Sequence, residues 1–238
     1  MSVYEDRRLR CPHCGHEVLR AVAVSIDGPD NPRGEHQAIL DGTFQRWPCE
    51  ACGRAFRADG PLIYLDFDAK LWIGVFPAEL EARWWAYEDE PRAAFERNMQ
   101  ERCPPLVRAW APGFEIRAVF GLDRLREKLL AHAAGLDDRV LEAYKLGLVR
   151  ELGPHELALA ARPRLRGLTP DEVILAVPKP APNAPELCAI VHVPRGELDA
   201  LAAARDGAWA PTIAALSAGP YVDVGRVFAP RPSSSPSR

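Results

Sequence analysis

Two short stretches carry the residues best suited to chemistry. Residues 11–18 read CPHCGHEV and residues 49–56 read CEACGRAF. Each holds two cysteines with two residues between them, a glycine directly after the second, and an apolar residue four places beyond it, Val18 and Phe56. Cys-x-x-Cys-Gly is the shape of a zinc knuckle, a tight turn that aims two sulfurs at one metal while backbone amides in the turn donate to those sulfurs. The glycine meets a need for positive φ that a side chain disfavours, and Pro12 stiffens the first turn. Two such turns supply four thiolates, the complete tetrahedral shell of a structural zinc site. The expected ligands are Cys11, Cys14, Cys49 and Cys52, holding a structural Zn2+; a four-sulfur shell also suits iron.

Thirty-four residues lie between Cys14 and Cys49, a longer gap than is common. Doubling a flexible connection costs only about 0.6 kcal/mol in closure entropy, whereas structural zinc binding is worth roughly 10 kcal/mol or more. The spacing therefore leaves the metal reading intact. A redox pair is the main rival, because CPHC alone resembles the active site of thioredoxin-type oxidoreductases. That site stands at a helix N-terminus, where the dipole lowers one thiol's pKa. Here GHEVLRAVAV follows, opening on a helix breaker and continuing as a strand. Redox chemistry would also leave the second pair without a role. Metal is the preferred reading, with structural disulfides and redox as the alternatives. His13 and His16 read as exposed turn residues, since four thiolates already fill the shell.

Other chemistry is sparse. A catalytic zinc needs an open coordination position, and four cysteines leave none. No His-Glu-x-x-His, phosphate-cradling glycine loop or Gly-x-Ser-x-Gly elbow is present. Asp66 and Asp68 fall in DFDAK, where aspartates favour a turn through local hydrogen bonds. Cys188 and His192 share a strand face but lie about 13 Å apart at strand rise, too far for a nucleophile–base contact. Cys188 reads as a buried free thiol, Cys103 has no visible partner, and His132 meets the negative end of its own helix. Adjacent Trp84 and Trp85 read as core, or else as a docking surface.

The elements that must position the cysteines follow from periodicity. Val18, Val22, Val24 and Ile26 alternate as a strand. DGPDNPRG (27–34) is a loop, EHQAILDG fits one or two helical turns, and TFQRW is extended again. LIYLDFDAKLWIGVF (62–76) reads as two strands around a turn at Asp66–Lys70, apolar on both faces and so buried on both sides or self-associating. Residues 78–101 read as helical, with Pro91 in the first turn of a second segment. EIRAVFG (115–121) fits a strand, and the helix over 122–135 ends at Gly135. The next helix is capped by Asp137 or Asp138 and carries a stripe of Val140, Leu141, Tyr144 and Leu148. EVILAV and ELCAIVHV read as strands joined by PKPAPNAP, although TPDE before the first also fits a helix start. A helix over Glu197–Arg205 and a last strand over Tyr221–Phe228 complete the pattern, before a disordered PRPSSSPSR tail.

At this point the chain resembles the CpXC-domain proteins of bacteria and archaea, a family named for the motif that stands here as Cys11-Pro12-His13-Cys14. PLIYLDFDAKLWIGVFP, the acidic helix ending in FERNM, and FGLDRLREKLL look like it as well. The likeness covers roughly residues 8–135. It implies a four-cysteine zinc site at Cys11, Cys14, Cys49 and Cys52 and implies no activity. Glu50 stands where the family often has proline, which removes stiffness but no ligand.

Bulk composition sets the outer bounds. The chain has 238 residues, 47% hydrophobic and 26% charged, with a net charge of −3, an ordinary globular composition. Four thiolates on a divalent ion make the balance about two charges more negative, so nothing global attracts nucleic acid or an anionic membrane. There is no apolar run of spanning length and no secretion signal, so a reducing cytoplasm is the expected compartment.

The expected architecture is α+β, with an N-terminal zinc-ribbon-like β module packed with a mixed sheet and helices. The expected divisions are a CpXC-like region at 8–135 with the ribbon in about 8–77, an α/β part at 136–229, and a tail at 230–238. The expected role is non-enzymatic, binding a protein partner or forming a homo-oligomer. The alternatives are an enzyme with a pocket between the N- and C-terminal parts, and a nucleic-acid-binding ribbon, which would want a basic patch that the sequence does not show.

Overall fold

The computed structural model describes residues 2–29, 32–152, 162–178 and 188–231. The proline-rich connection expected at 178–185 and the tail expected at 230–238 lie outside the described residues from 179 and from 232 onward. The chain divides into two compact units, Met1–Glu81 with Glu88–Arg126, and Ala82–Tyr87 with Glu127–Arg238. Helices and a mixed sheet make the fold α+β, with the four cysteines gathered in the N-terminal part.

The first unit begins with a long hairpin, β1 (Val3–Arg10) and β2 (Glu17–Asp27), followed by α1 (Glu35–Asp41) and a short ribbon of β3 (Arg46–Pro48) and β4 (Ala55–Arg57). β5 (Leu62–Asp66) and β6 (Leu71–Phe76) form the next hairpin, and β7 (Glu115–Phe120) follows the helices α2 (Glu90–Glu96) and α3 (Pro105–Arg108). The five longer strands make one sheet in the order β1-β2-β5-β6-β7. The pairs β2·β5 and β6·β7 are parallel, and the other two are antiparallel.

The β5–β6 turn falls where the aspartates placed it. The Asp66 carboxylate accepts the Ala69 amide at 2.8 Å, and Lys70 takes a positive φ of 55°. All of β6 is buried, which accounts for its apolar residues on both faces. Tyr64 pairs with Ile73 and Leu65 with Trp72, so Tyr64 and Trp72 point to opposite sides of the sheet. The Tyr64 hydroxyl meets His36 Nδ1 of α1 at 2.7 Å. Trp72 stacks edge-on against Phe95 of α2 at 5.4 Å. One helix therefore covers each face. α2 comes so close at Gly74 that a β-carbon there would sit 2.4 Å from Pro91 Cγ, so that strand position tolerates only glycine.

The stretch expected to be helical over 78–101 is helical in three different ways. Ala78–Ala86 is 3₁₀-like and breaks at Arg83 (φ −125°, ψ 36°). Pro91 sits in the first turn of α2, and Arg97–Glu101 widens into a π turn.

Helix α4 (Leu122–Ala133) contains the boundary between the units and ends before Gly135, whose φ is 63°. In the second unit α5 (Asp138–Leu152) is capped by Asp137, whose carboxylate accepts the Arg139 amide at 3.0 Å. A three-stranded antiparallel sheet has the order β10-β9-β8, from β8 (Arg164–Leu168), β9 (Glu172–Pro178) and β10 (Cys188–Pro194). α6 (Arg195–Ala203), α7 (Ala210–Leu216) and α8 (Gly225–Phe228) complete the unit. Its core joins Val140, Leu141 and Leu146 of α5 to Leu165, Val173, Leu175 and Val193 of the sheet and to Leu198 and Leu216.

The TPDE motif does make a capping-type bond, from the Glu172 amide to Thr169 Oγ1 at 3.0 Å. Val173 and Ile174 then enter β9, as β-branched residues favour, and no helix forms. The strand expected over Tyr221–Phe228 is a misreading. Asp223 turns inward, accepts the Gly225 amide at 2.7 Å and pairs with buried Arg162, and the chain then winds into α8. Its alternating apolar residues suggested a strand, but the inward carboxylate imposes a turn.

Candidate metal centre

Each cysteine pair occupies the tip of a hairpin, and the two tips have the same backbone. In the first, Arg10 faces Glu17 across β1 and β2. The Cys11 amide donates to His16 O at 2.8 Å and the Gly15 amide to Cys11 O at 2.9 Å. In the second, Pro48 faces Ala55 across β3 and β4. The Cys49 amide donates to Arg54 O at 2.9 Å and the Gly53 amide to Cys49 O at 2.8 Å. The glycines have φ of 75° and 70°. A β-carbon on Gly53 would meet nothing within 4 Å, so backbone conformation rather than space demands glycine there.

These tips bring four sulfurs together. Cys11 Sγ lies 3.9 Å from Cys52 Sγ, and Cys14 Sγ lies 3.6 Å from Cys49 Sγ. All four lie within 4.8 Å of one another. A tetrahedron with metal–sulfur bonds of about 2.3 Å has sulfur–sulfur edges of roughly 3.8 Å, so the spacing fits one tetrahedral ion. The same distances are far beyond a disulfide bond of about 2.05 Å, and all four cysteines are free. Both of these short contacts run between the two hairpins, so an ion here would cross-link them.

The first cysteine of each pair, Cys11 and Cys49, is buried, while Cys14 and Cys52 face solvent. The buried sulfurs pack with Val18, Phe56 and Leu9, and Phe56 lies against Trp47 at 6.3 Å between ring centres. Val18 and Phe56 are thus equivalent residues in two equivalent turns. Backbone amides of Cys52 and Ala51 point at Cys49 Sγ and hold that thiol down at about 6. For Cys14, the His16 amide acts downward, but desolvation and the neighbouring thiols push it up to about 12. The cluster therefore gives up one proton readily, and later protons leave only against accumulating negative charge, which a divalent cation removes.

Arg20 of β2 reaches the Glu50 carboxylate at 2.5 Å and holds that carboxyl below its usual range. Glu50, a departure from the proline seen in the resemblance, thus ties the second tip to the first hairpin. His13 Nε2 lies 3.3 Å from Ala55 O. His13 and His16 are exposed and stand apart from the four sulfurs. Among the described residues no other group of three His, Cys, Asp or Glu converges as this one does.

The remaining candidates do not assemble into a second centre of this kind. Asp66 serves its turn and Asp68 is exposed. Cys103 Sγ donates to Met99 O at 2.8 Å. His192 pairs with Glu172 at 2.9 Å, and the Cys188 side chain lies outside the described residues. Trp84 is core: buried, stacked on Tyr221 at 5.2 Å, with the Arg226 guanidinium 4.2 Å above its ring.

The second unit also holds a buried ionic network that no sequence pattern announced. Lys145 is fully buried and lies 2.6 Å from Glu127 and 2.8 Å from Glu142. Lys128, also buried, bonds Asp138 at 2.9 Å and donates to Val222 O at 2.5 Å. Glu142 also accepts the Val224 amide at 3.1 Å, and burial pushes its carboxyl up. The spacing of Glu142 and Lys145 on α5 was the available signal, but such a pair reads as a solvated helix face.

No curated protein and no solved structure matches the chain. The family model described as CpXC protein matches residues 9–145, a span that contains both hairpin tips, all four clustered sulfurs, and strands β2, β5, β6 and β7 with the last two residues of β1. The chain belongs to the CpXC family.

Proposed function

We propose that Cys11, Cys14, Cys49 and Cys52 hold one structural Zn2+, and that the protein is a non-enzymatic interaction module of the cytoplasm. The observation that carries the zinc reading is the closed set of four sulfurs at tetrahedral spacing. Zinc here supplies cohesion: it joins the β1–β2 and β3–β4 hairpins and leaves no coordination position for water or substrate. Four free cysteines at the centre suit a reducing compartment. The interaction reading, with a protein partner or a second copy, draws support from exposed Leu106 and from exposed Trp110, which lies against the half-buried Phe67, since aromatics dominate binding hot spots.

The test is native mass spectrometry with elemental analysis. One zinc per chain is expected, lost on chelation together with amide protection in β1–β4. A stable iron protein, or a folded ribbon that never takes up metal, would overturn the zinc reading. Light scattering across a concentration series and cross-linking in native lysate report on assembly, and a monomer without partners would remove the interaction role.

A further inference from the structure

α2 presents two different stripes. Pro91 and Phe95 pack onto the sheet and are buried. Glu90, Ala93, Ala94 and Arg97, at positions i, i+3, i+4 and i+7, line a groove of about 350 Å³ whose other wall includes Val24, Leu62 and Ile63. That volume falls within the range of small-ligand sites. The two alanines leave the middle of the groove open and apolar. Two opposite charges, Glu90 and Arg97, stand on its helical wall, two turns apart along the backbone, about 10 Å at 1.5 Å per residue.

Both charged residues are exposed, and neither side chain has a partner among the described residues. The π turn begins at Arg97, and such turns occur frequently at functional sites. It displaces the normal helical bonding, and Asn98 Nδ2 donates to Ala94 O at 2.8 Å in compensation.

We infer that this groove binds a short apolar peptide in its zwitterionic form, three residues long, with the ammonium toward Glu90 and the carboxylate toward Arg97. An extended tripeptide spans about 10 Å at strand rise, which matches the backbone rise from Glu90 to Arg97. An apolar central side chain fills the space over Ala93 and Ala94, and each terminus finds its opposite charge on the helical wall. This deepens the interaction reading above and rests on it only in naming what is bound.

Ala-Leu-Ala titrated into the zinc-loaded full chain, followed by backbone amide shifts, tests it. Shifts are expected in β5, β6 and α2, with millimolar or tighter affinity. N-acetylation or C-amidation of the peptide should each weaken binding about three- to fivefold, the size expected of exposed ion pairs. Glu90→Gln should erase the penalty of acetylation alone, and Arg97→Gln that of amidation alone. Ala94→Leu should block the groove, with melting temperature and zinc content measured on the same sample to show that the fold is kept. If Ala94→Leu fails to fold, the two charge variants still decide the matter. Silence of the α2 amides, equal binding of the doubly capped peptide, or binding of dodecanoate in place of the peptide would each overturn the inference. Zinc content and oligomeric state report separately on the metal centre and on assembly.

Discussion

The ribbon of the first unit gathers Cys11, Val18, Cys49 and Phe56 into its buried cluster, with Leu9 alongside. The second unit gathers a far larger one, drawn from α5, α6, α7 and three strands, and also encloses Lys145, Glu127 and Glu142. A cluster as small as the ribbon's returns little against the entropy of ordering its backbone, so a cross-link must supply the difference. The larger core tolerates internal charges whose desolvation is offset only by close pairing. Where apolar burial is scarce the protein gathers four sulfurs at metal-binding distance, and where it is plentiful the protein can keep ions inside.

Removing a ligand strikes the poorer core and should have the largest effect. Cys11→Ser or Cys49→Ser, like chelation, should abolish metal binding and forfeit stabilisation on the order of 10 kcal/mol. Hydrogen exchange should show β1–β4 exposed while α5 and β9 keep their protection. Equal loss in both units would erase the contrast.

Lys145→Met strikes the richer core instead. It leaves Glu127 and Glu142 without their shared cation at 2.6 and 2.8 Å, and breaking a buried pair costs roughly 3–5 kcal/mol. Denaturant unfolding should show that loss in the second unit with zinc content unchanged, and Glu142→Gln in the same chain should restore part of it.

Acidity should separate the units more gently. Burial holds the Glu142 carboxyl above its usual range, so the folded chain keeps a proton that the unfolded chain releases. This group's contribution is full below the unfolded value of about 4.3 and is lost as pH rises through the folded one. The metal centre responds in the opposite direction, because protonated sulfur releases metal as pH falls. Melting curves across that window should show the slope of the second unit reduced in Glu142→Gln, and an unchanged slope would locate the titration elsewhere.

The smallest effect belongs to the two cysteines outside the Cys-x-x-Cys pairs. Cys103→Ser and Cys188→Ala should leave zinc stoichiometry unaltered by elemental analysis, and metal loss from either would redraw the ligand set.

What could be read from sequence follows the range of the physics involved. Knuckle turns are local, so Cys11, Cys14, Cys49 and Cys52 were legible as a set before any fold was known. The β5–β6 hairpin and α4 were legible as well, because alternation and a terminal glycine act within one element. β1 was not, because Glu5, Asp6, Arg7 and Arg8 hide an edge strand behind charge that suits an edge. Lys145 was invisible for the converse reason: its burial depends on carboxylates of α4 and α5 converging, which no single window contains. The turn at Asp223 likewise depends on Arg162, sixty-one positions earlier.

β2 and β5 run parallel, and the crossover between them contains α1 and the entire second hairpin. An ion gripping both tips ties that crossover back on itself, so the two strands seek their register from a shorter tether. Refolding with zinc present from the start should therefore outpace refolding in chelator followed by late addition of zinc, because slow non-local pairing is limited by the loop that must close.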